Sequence, residues 1–128
     1  LEWSIANIKP VIGICRGMQL IQNYFGIKLE AVKDHVKTRH NLILHQDSKY
    51  AYILKDYNTV NAFHDYGTTE TNEHLIVSSK SEDGIVMSVE HCMYPIFGFM
   101  WHPEREEPFS QTDINLFKNI IEEGVGRK

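Results

Sequence analysis

Apolar positions along this chain change rhythm several times, and each change predicts an element. Val11, Ile12 and Ile14 form a short apolar run bounded by Pro10 and interrupted by Gly13. Such a run suits a strand buried on both faces of a parallel sheet. After Gly17 the spacing becomes helical, with Met18, Leu20, Ile21, Tyr24 and Phe25, and Gly26 stands where a helix closes. Upstream, Leu1, Ile5 and Ile8 share one helical face and predict the last turns of a helix leading to Lys9-Pro10.

Downstream the texture turns toward strands. Residues 27–32 read as loop with a brief strand. Residues 41–45 and 50–54 are short apolar runs set between turn residues, and residues 60–63 follow. Residues 65–73, rich in Gly, Thr, Asn and Glu, read as an exposed connection able to shape a pocket. Residues 75–79, 85–90 and 96–101 predict three successive strands, with the Glu82-Asp83-Gly84 turn between the first two. Alternation over 85–90 predicts one half-buried face, and the continuous apolar run 97–101 predicts a more central strand. Ser110 or Thr112 can cap a final helix with a stripe of Ile114, Phe117, Ile120 and Ile121; Gly124 would end it, leaving residues 126–128 as a tail. These elements together predict an α/β domain over residues 1–128. Its sheet would be mixed and largely parallel, flanked by helices, with a site at the strands' C-terminal ends.

Composition narrows the function classes. At 128 residues with 42% hydrophobic and 23% charged content, the chain reads as one globular domain. A net charge of −4 offers no basic footprint for nucleic acid or an anionic membrane. No apolar run approaches a membrane span and no signal peptide is visible, so the chain reads as cytoplasmic. The two cysteines, Cys15 and Cys92, suit a reducing compartment better than a disulfide framework.

Cys15 sits where the first strand turns sharply into a helix. Gly13-Ile14-Cys15-Arg16-Gly17 has the spacing of a nucleophile elbow with a thiol in place of a hydroxyl. Two glycines allow strand and helix to approach closely around a strained cysteine. The helix N-terminus favours a thiolate, and the Arg16 N–H could form half of an oxyanion hole. The competing reading is an inert buried cysteine in a βα turn. A second constellation decides between them: Trp101-His102-Pro103-Glu104 closes the run 97–101. A nucleophilic thiol needs an imidazole base, and the imidazole needs a carboxylate to fix its tautomer. His102 and Glu104, two apart on extended backbone, point to the same side. Cys92 has no base motif around it. A metal reading of His35, His40 and His45 fails on spacing: five residues put no two of them on one helical face, and no zinc pattern accompanies them. They read as solvated or hydrogen-bonding histidines lining an approach, and no metal is expected.

Gly-Ile-Cys-Arg-Gly-Met-Gln followed by Trp-His-Pro-Glu resembles the class I glutamine amidotransferase superfamily. Within it the chain is most similar to the γ-glutamyl hydrolase branch, peptidase family C26, of the γ-glutamyl-γ-aminobutyrate hydrolase type. The resemblance implies a flavodoxin-like three-layer fold. It implies Cys15 as nucleophile, His102 as general base and acid, and Glu104 as its orienter, with no metal or organic cofactor. It also implies that Gln19 and backbone near Arg16 hold the amino-acid end of a γ-glutamyl group, with Asn61 and His64, in Val60-Asn61-Ala62-Phe63-His64, bordering the same pocket.

Family members carry further strands and helices before the elbow, including a loop that completes the oxyanion hole. The domain is therefore expected to be incomplete at its N-terminus and weakly active until that segment is supplied. The expected reaction is cysteine-dependent hydrolysis of a γ-glutamyl amide through a thioester. The expected substrate is a small γ-glutamyl metabolite or nucleotide intermediate. Trp-His-Pro-Glu-Arg-Glu, with Arg105, also resembles hydrolases of bacterial surface-sugar phosphoramidate pathways. The alternatives are a glutaminase subunit feeding ammonia to a synthase partner, and a non-catalytic binding module. The resemblance leaves room for a homodimer.

Overall fold

A computed structural model describes residues 1–126, with side chains described to residue 123; the expected tail at 126–128 lies, beyond the backbone of Gly126, outside the described residues. In chain order the elements are α1 (Glu2–Ala6), β1 (Val11–Ile14), α2 (Arg16–Tyr24), β2 (Glu30–Ala31), β3 (Val36–His40) and β4 (Leu42–Leu44). Then come α3 (Ala51–Leu54), β5 (Val60–Phe63), β6 (Tyr66–Gly67), β7 (Leu75–Ser81), β8 (Val86–His91), β9 (Ile96–Phe99) and α4 (Gln111–Gly126). A single 3-10 turn, Pro103–Arg105, follows β9.

The main sheet has the order β1-β9-β8-β7-β4. β1 and β9 run parallel, with Ile14 opposite Phe99, while β8, β7 and β4 add on in antiparallel pairings. Two small antiparallel ribbons, β2–β6 and β3–β5, stand beside it. The fold is thus α/β, a mixed sheet flanked by helices, as the sequence pattern predicts. Parallel strands must be joined by a crossover, and here residues 15–95 intervene between β1 and β9. The first and last strong motifs therefore end on neighbouring strands.

Packing explains the elements and corrects several expectations. The core gathers Met18 and Ile21 of α2, Val86, Met87 and Val89 of β8, Phe97 and Phe99 of β9, Trp101, and Leu116 and Ile120 of α4. β8 is buried along its full length, so the half-buried face expected over 85–90 is covered on both sides. Its Glu90 is fully buried and accepts hydrogen bonds from Ser78 Oγ at 2.7 Å, Ser48 Oγ at 2.5 Å and the Lys49 N–H at 2.9 Å. Residues 50–54 form a helix rather than a strand. Tyr50, Ile53 and Leu54 are buried at helical spacing, and Ser48 Oγ accepts from the Tyr50 N–H at its start.

In α2, Leu20 and Tyr24 face solvent while Met18, Ile21 and Gln22 turn inward. Gly26 has φ +86° and the Ile27 N–H reaches back to the Gln22 carbonyl, a glycine-closed helix end. In α4 the buried stripe is Asp113, Leu116 and Ile120, whereas Ile114 and Ile121 are exposed. The helix runs on past Gly124 to Gly126. No helix among the described residues is long and apolar enough to cross a membrane.

Candidate active site

Cys15 links β1 to α2 with φ +53° and ψ −99°, a conformation that a residue with a Cβ seldom adopts. Such strain costs on the order of 1–3 kcal/mol and persists only where surroundings enforce it. Gly13 enforces it here: a Cβ at that position would lie 2.6 Å from the Gly17 carbonyl carbon and 2.7 Å from Ile21 Cδ1. Gly17 is different, because a Cβ there would meet nothing within 4 Å. The close approach expected of both glycines is required of Gly13 alone. The Cys15 N–H donates to the Phe99 carbonyl at 2.7 Å, which pins the elbow to the end of β9.

The sulfur is only 8% accessible as part of its residue. Burial pushes the Cys15 thiol pKa up, and the opposing Arg16 N–H and the Arg16 and Arg105 charges do not overcome it; the Glu104 carboxylate raises it further. The helix N-terminus was expected to favour a thiolate, but desolvation wins and the resting group is a thiol. A thiol in this state becomes a nucleophile only where a base takes its proton.

His102 follows β9 directly. Its Nδ1 lies 2.9 Å from Glu104 Oε2, and the Phe63 ring meets its edge with centroids 5.9 Å apart. A carboxylate only accepts, so Nδ1 carries the hydrogen and Nε2 presents a lone pair, the tautomer a general base requires. Burial raises the Glu104 carboxyl, but the His102 hydrogen bond and its own backbone N–H outweigh that and hold it below the ordinary range. Asn61 bonds the backbone on both sides of this imidazole: Oδ1 accepts the His102 N–H at 2.8 Å, and Nδ2 donates to the His102 carbonyl at 2.9 Å. Arg105 stacks its guanidinium over Phe63 at 4.0 Å. Arg39 grips Glu106 through two nitrogens, at 2.7 and 3.0 Å.

Arg16 and Gln19 line one cavity of about 230 Å³ with Leu20 and Asn23. Gln19 Nε2 donates to the Tyr66 carbonyl at 3.1 Å. Asn61 faces a separate cavity of about 370 Å³ bordered by Tyr57, Trp101, Glu106 and Asp113. His64 is buried, and its Nδ1 lies 3.0 Å from the same Tyr66 carbonyl that holds Gln19. Thus Cys15, His102 and Glu104 stand on neighbouring strand ends, Gln19 one helical turn away, and Asn61 and His64 act on backbone around them.

The family model for glutamine amidotransferase class-I matches residues 1–122. The chain belongs to that family. It is 30% identical over 114 residues to the gamma-glutamyl-CDP-amidate hydrolase of Campylobacter jejuni, covering 89% of this chain and 52% of that protein. It is 29% identical over 119 residues to anthranilate synthase component 2 of Thermococcus kodakarensis, covering 88% of this chain and 60% of that one. A glutamine amidotransferase crystal structure from Thermotoga maritima has the same fold, with a TM-score of 0.69 at 17% identity over 95% of this chain and 52% of that one. This amidotransferase chain spans about half the length of the first of these relatives.

A second polar cluster lies behind the Gln19 pocket of the amidotransferase. His35 and His40 are five apart, so a regular strand would send them to opposite faces. Lys37, with φ +55°, sits at a bulge that interrupts the β3–β5 register, and the two rings stack at 4.1 Å and 10°. His35 Nδ1 lies 3.1 Å from His64 Nε2, and His35 Nε2 lies 2.8 Å from Asp83 Oδ2. Ring nitrogens of His35 and His40 and an Asp83 oxygen all lie within 4.8 Å of one another. His45 stands apart, near Asp47. A spacing of five would part His35 and His40 on a helix, but the bulge in β3 stacks the two rings instead. Burial holds the His64 pKa down at about 4, so that ring is neutral. The partners of His35 lie 29 and 48 positions away from it, a separation that leaves no local sequence signal.

Proposed function

We propose that this chain carries the nucleophile, base and orienting carboxylate of a γ-glutamyl amide hydrolase. The observation that supports it best is the Glu104–His102 contact at 2.9 Å, just past the end of the strand whose Phe99 carbonyl anchors Cys15. With Nδ1 committed to Glu104, Nε2 takes the Cys15 proton as the sulfur attacks the γ-carbonyl. A C–S bond forms, and the carbonyl electrons move to an oxyanion facing the Arg16 N–H. Collapse breaks the C–N bond, and His102 returns the proton to the leaving amine. Water, activated by the same Nε2, then cleaves the thioester to glutamate and free thiol.

A second oxyanion donor comes, in this reading, from the upstream part of a complete domain. Loss of one such donor typically costs about a hundred- to a thousand-fold in turnover. The substrate class is a small γ-glutamyl amide, including γ-glutamylated nucleotide amidates, a reading that the Campylobacter relative supports. The two free thiols fit a reducing compartment, and we assign the reaction to the cytoplasm.

A second reading, a glutaminase subunit of a synthase, draws on the likeness to anthranilate synthase component 2. One experiment separates the two. The full-length protein is incubated with glutamine, γ-glutamyl-aminobutyrate and a γ-glutamyl nucleotide amidate, beside Cys15→Ala. Release of glutamate from a γ-glutamyl amide without a partner, abolished in Cys15→Ala, supports the hydrolase. Ammonia from glutamine only on adding a synthase supports the subunit. Equal traces for both proteins would remove the catalytic reading.

A further inference from the structure

The hydrogens in the buried histidine cluster do not balance if both rings are neutral. The Tyr66 carbonyl only accepts, so His64 Nδ1 carries its hydrogen and His64 Nε2 is a lone pair. His35 Nδ1, 3.1 Å from it, must therefore donate. That leaves His35 Nε2 as a bare lone pair 2.8 Å from the Asp83 carboxylate, in a residue with no solvent exposure. His40 repeats the pattern. Thr38 Oγ1 spends its hydrogen on the Asp34 carbonyl at 2.8 Å. His40 Nε2, 2.9 Å from Thr38 Oγ1 and 3.1 Å from the Asp34 carbonyl, must donate. Its Nδ1 is then a lone pair 2.7 Å from Glu82 Oε1.

Two buried imidazole nitrogens thus face two carboxylates of one turn, at 2.8 and 2.7 Å, and each contact takes a proton or a cation between its atoms. Two added protons would make two imidazolium rings stacked at 4.1 Å, with like charges face to face. One divalent cation at the ring edges answers both contacts at once. Imidazole and carboxylate donors suit zinc and its neighbours. Ligand atoms around a tetrahedral zinc stand about 3.4 Å apart, so the His35–Asp83 pair at 2.8 Å must open slightly, while the wider separations, none above 4.8 Å, close by about 1.4 Å at most. The Asp83 and Glu82 side chains are 43% and 49% exposed, which gives an ion a route in.

We propose that His35 Nε2, His40 Nδ1 and Asp83 form a binding site for a divalent transition metal of the zinc type, with Glu82 beside it, separate from the Cys15–His102 centre. The His35 and His64 N–H groups then form the outer hydrogen bonds that fix ligand orientation, and they end on the carbonyl that also holds Gln19.

Zinc or cobalt(II) is titrated into the full-length protein carrying Cys15→Ala and Cys92→Ser, which removes thiol ligands. One equivalent should bind. Asp83→Asn and His40→Gln should each weaken binding by about 100-fold or more. Exchanging the exposed His45 and His74 for alanine should leave it unchanged. Nitrogen-15 spectra of the otherwise unaltered imidazoles, which do not depend on any ligand variant folding, should show His35 Nε2 and His40 Nδ1 shifting on metal addition. Absence of saturable binding, loss of binding through His45 and His74 instead, or His35 and His40 rings doubly protonated and insensitive to zinc at neutral pH would each overturn the site.

Discussion

The Asn61 side-chain amide bonds both the N–H and the C=O of His102, at 2.8 and 2.9 Å. A rigid planar group therefore fixes the backbone at the residue proposed to carry the base. Glu104 sets the ring's tautomer; Asn61 sets where the ring starts from.

Asn61→Ala should lower kcat by about a hundredfold with little change in KM, since misplacement of a catalytic group by about 1 Å costs that much. It should also destabilise the fold by about 1–3 kcal/mol, because two backbone groups lose their partners. Steady-state kinetics on a γ-glutamyl amide and urea unfolding check the two parts.

Cys15 should react as a reluctant thiol. In Cys92→Ser protein, the rate of iodoacetamide labelling should climb with pH through an inflection above the ordinary thiol value, since burial disfavours the thiolate. Glu104→Gln removes a charge that raises the Cys15 pKa, so its inflection should move down. Arg105→Ala removes one that lowers it and should move it up. Labelling rates followed by mass spectrometry over a pH series read both shifts.

The two elbow glycines should part company under substitution. Gly13→Ala drives a methyl into the Gly17 backbone and should cost about 3 kcal/mol or more. Gly17→Ala meets open space at the start of α2 and should be neutral or stabilising by up to about 1 kcal/mol. Thermal denaturation of the two variants decides.

Asp113 carries a raised pKa because burial disfavours its charge more than the Tyr57 hydroxyl and Trp101 Nε1–H support it. A carboxyl whose folded pKa exceeds its unfolded value binds more protons in the fold. It therefore weakens stability as pH rises through that interval, and the penalty is complete above the folded value. The stability of wild type relative to Asp113→Asn should consequently improve as pH falls from 7 toward 4, measured by denaturant unfolding at each pH.

Local sequence carried much of this structure. β1 and α2 were legible because the period of Val11, Ile12 and Ile14 gives way to that of Met18 and Ile21 at a glycine-flanked turn. β7, β8 and β9 were legible from apolar runs cut by turn residues. Residues 50–54 were misread because a five-residue apolar run has no decisive period; burial of Tyr50, Ile53 and Leu54 on one side settles it as α3. β3 was missed because its Lys-Thr-Arg-His sequence carries no apolar alternation, only a pairing with β5. For the site, Cys15, His102 and Glu104 announce themselves by spacing. Asn61 as a backbone clamp and the contact of His35 with Asp83 do not, since each joins residues more than 40 positions apart.

The β1–β9 pairing has a consequence for quality control. Cys15 and His102 lie 87 positions apart (102 − 15) and follow two strands joined in one parallel ladder, which closes only when the chain between them has folded. On the proposed roles, a partly assembled molecule would hold the thiol without its base and would not acylate itself on passing metabolites. On that reading, completion of the fold switches reactivity on.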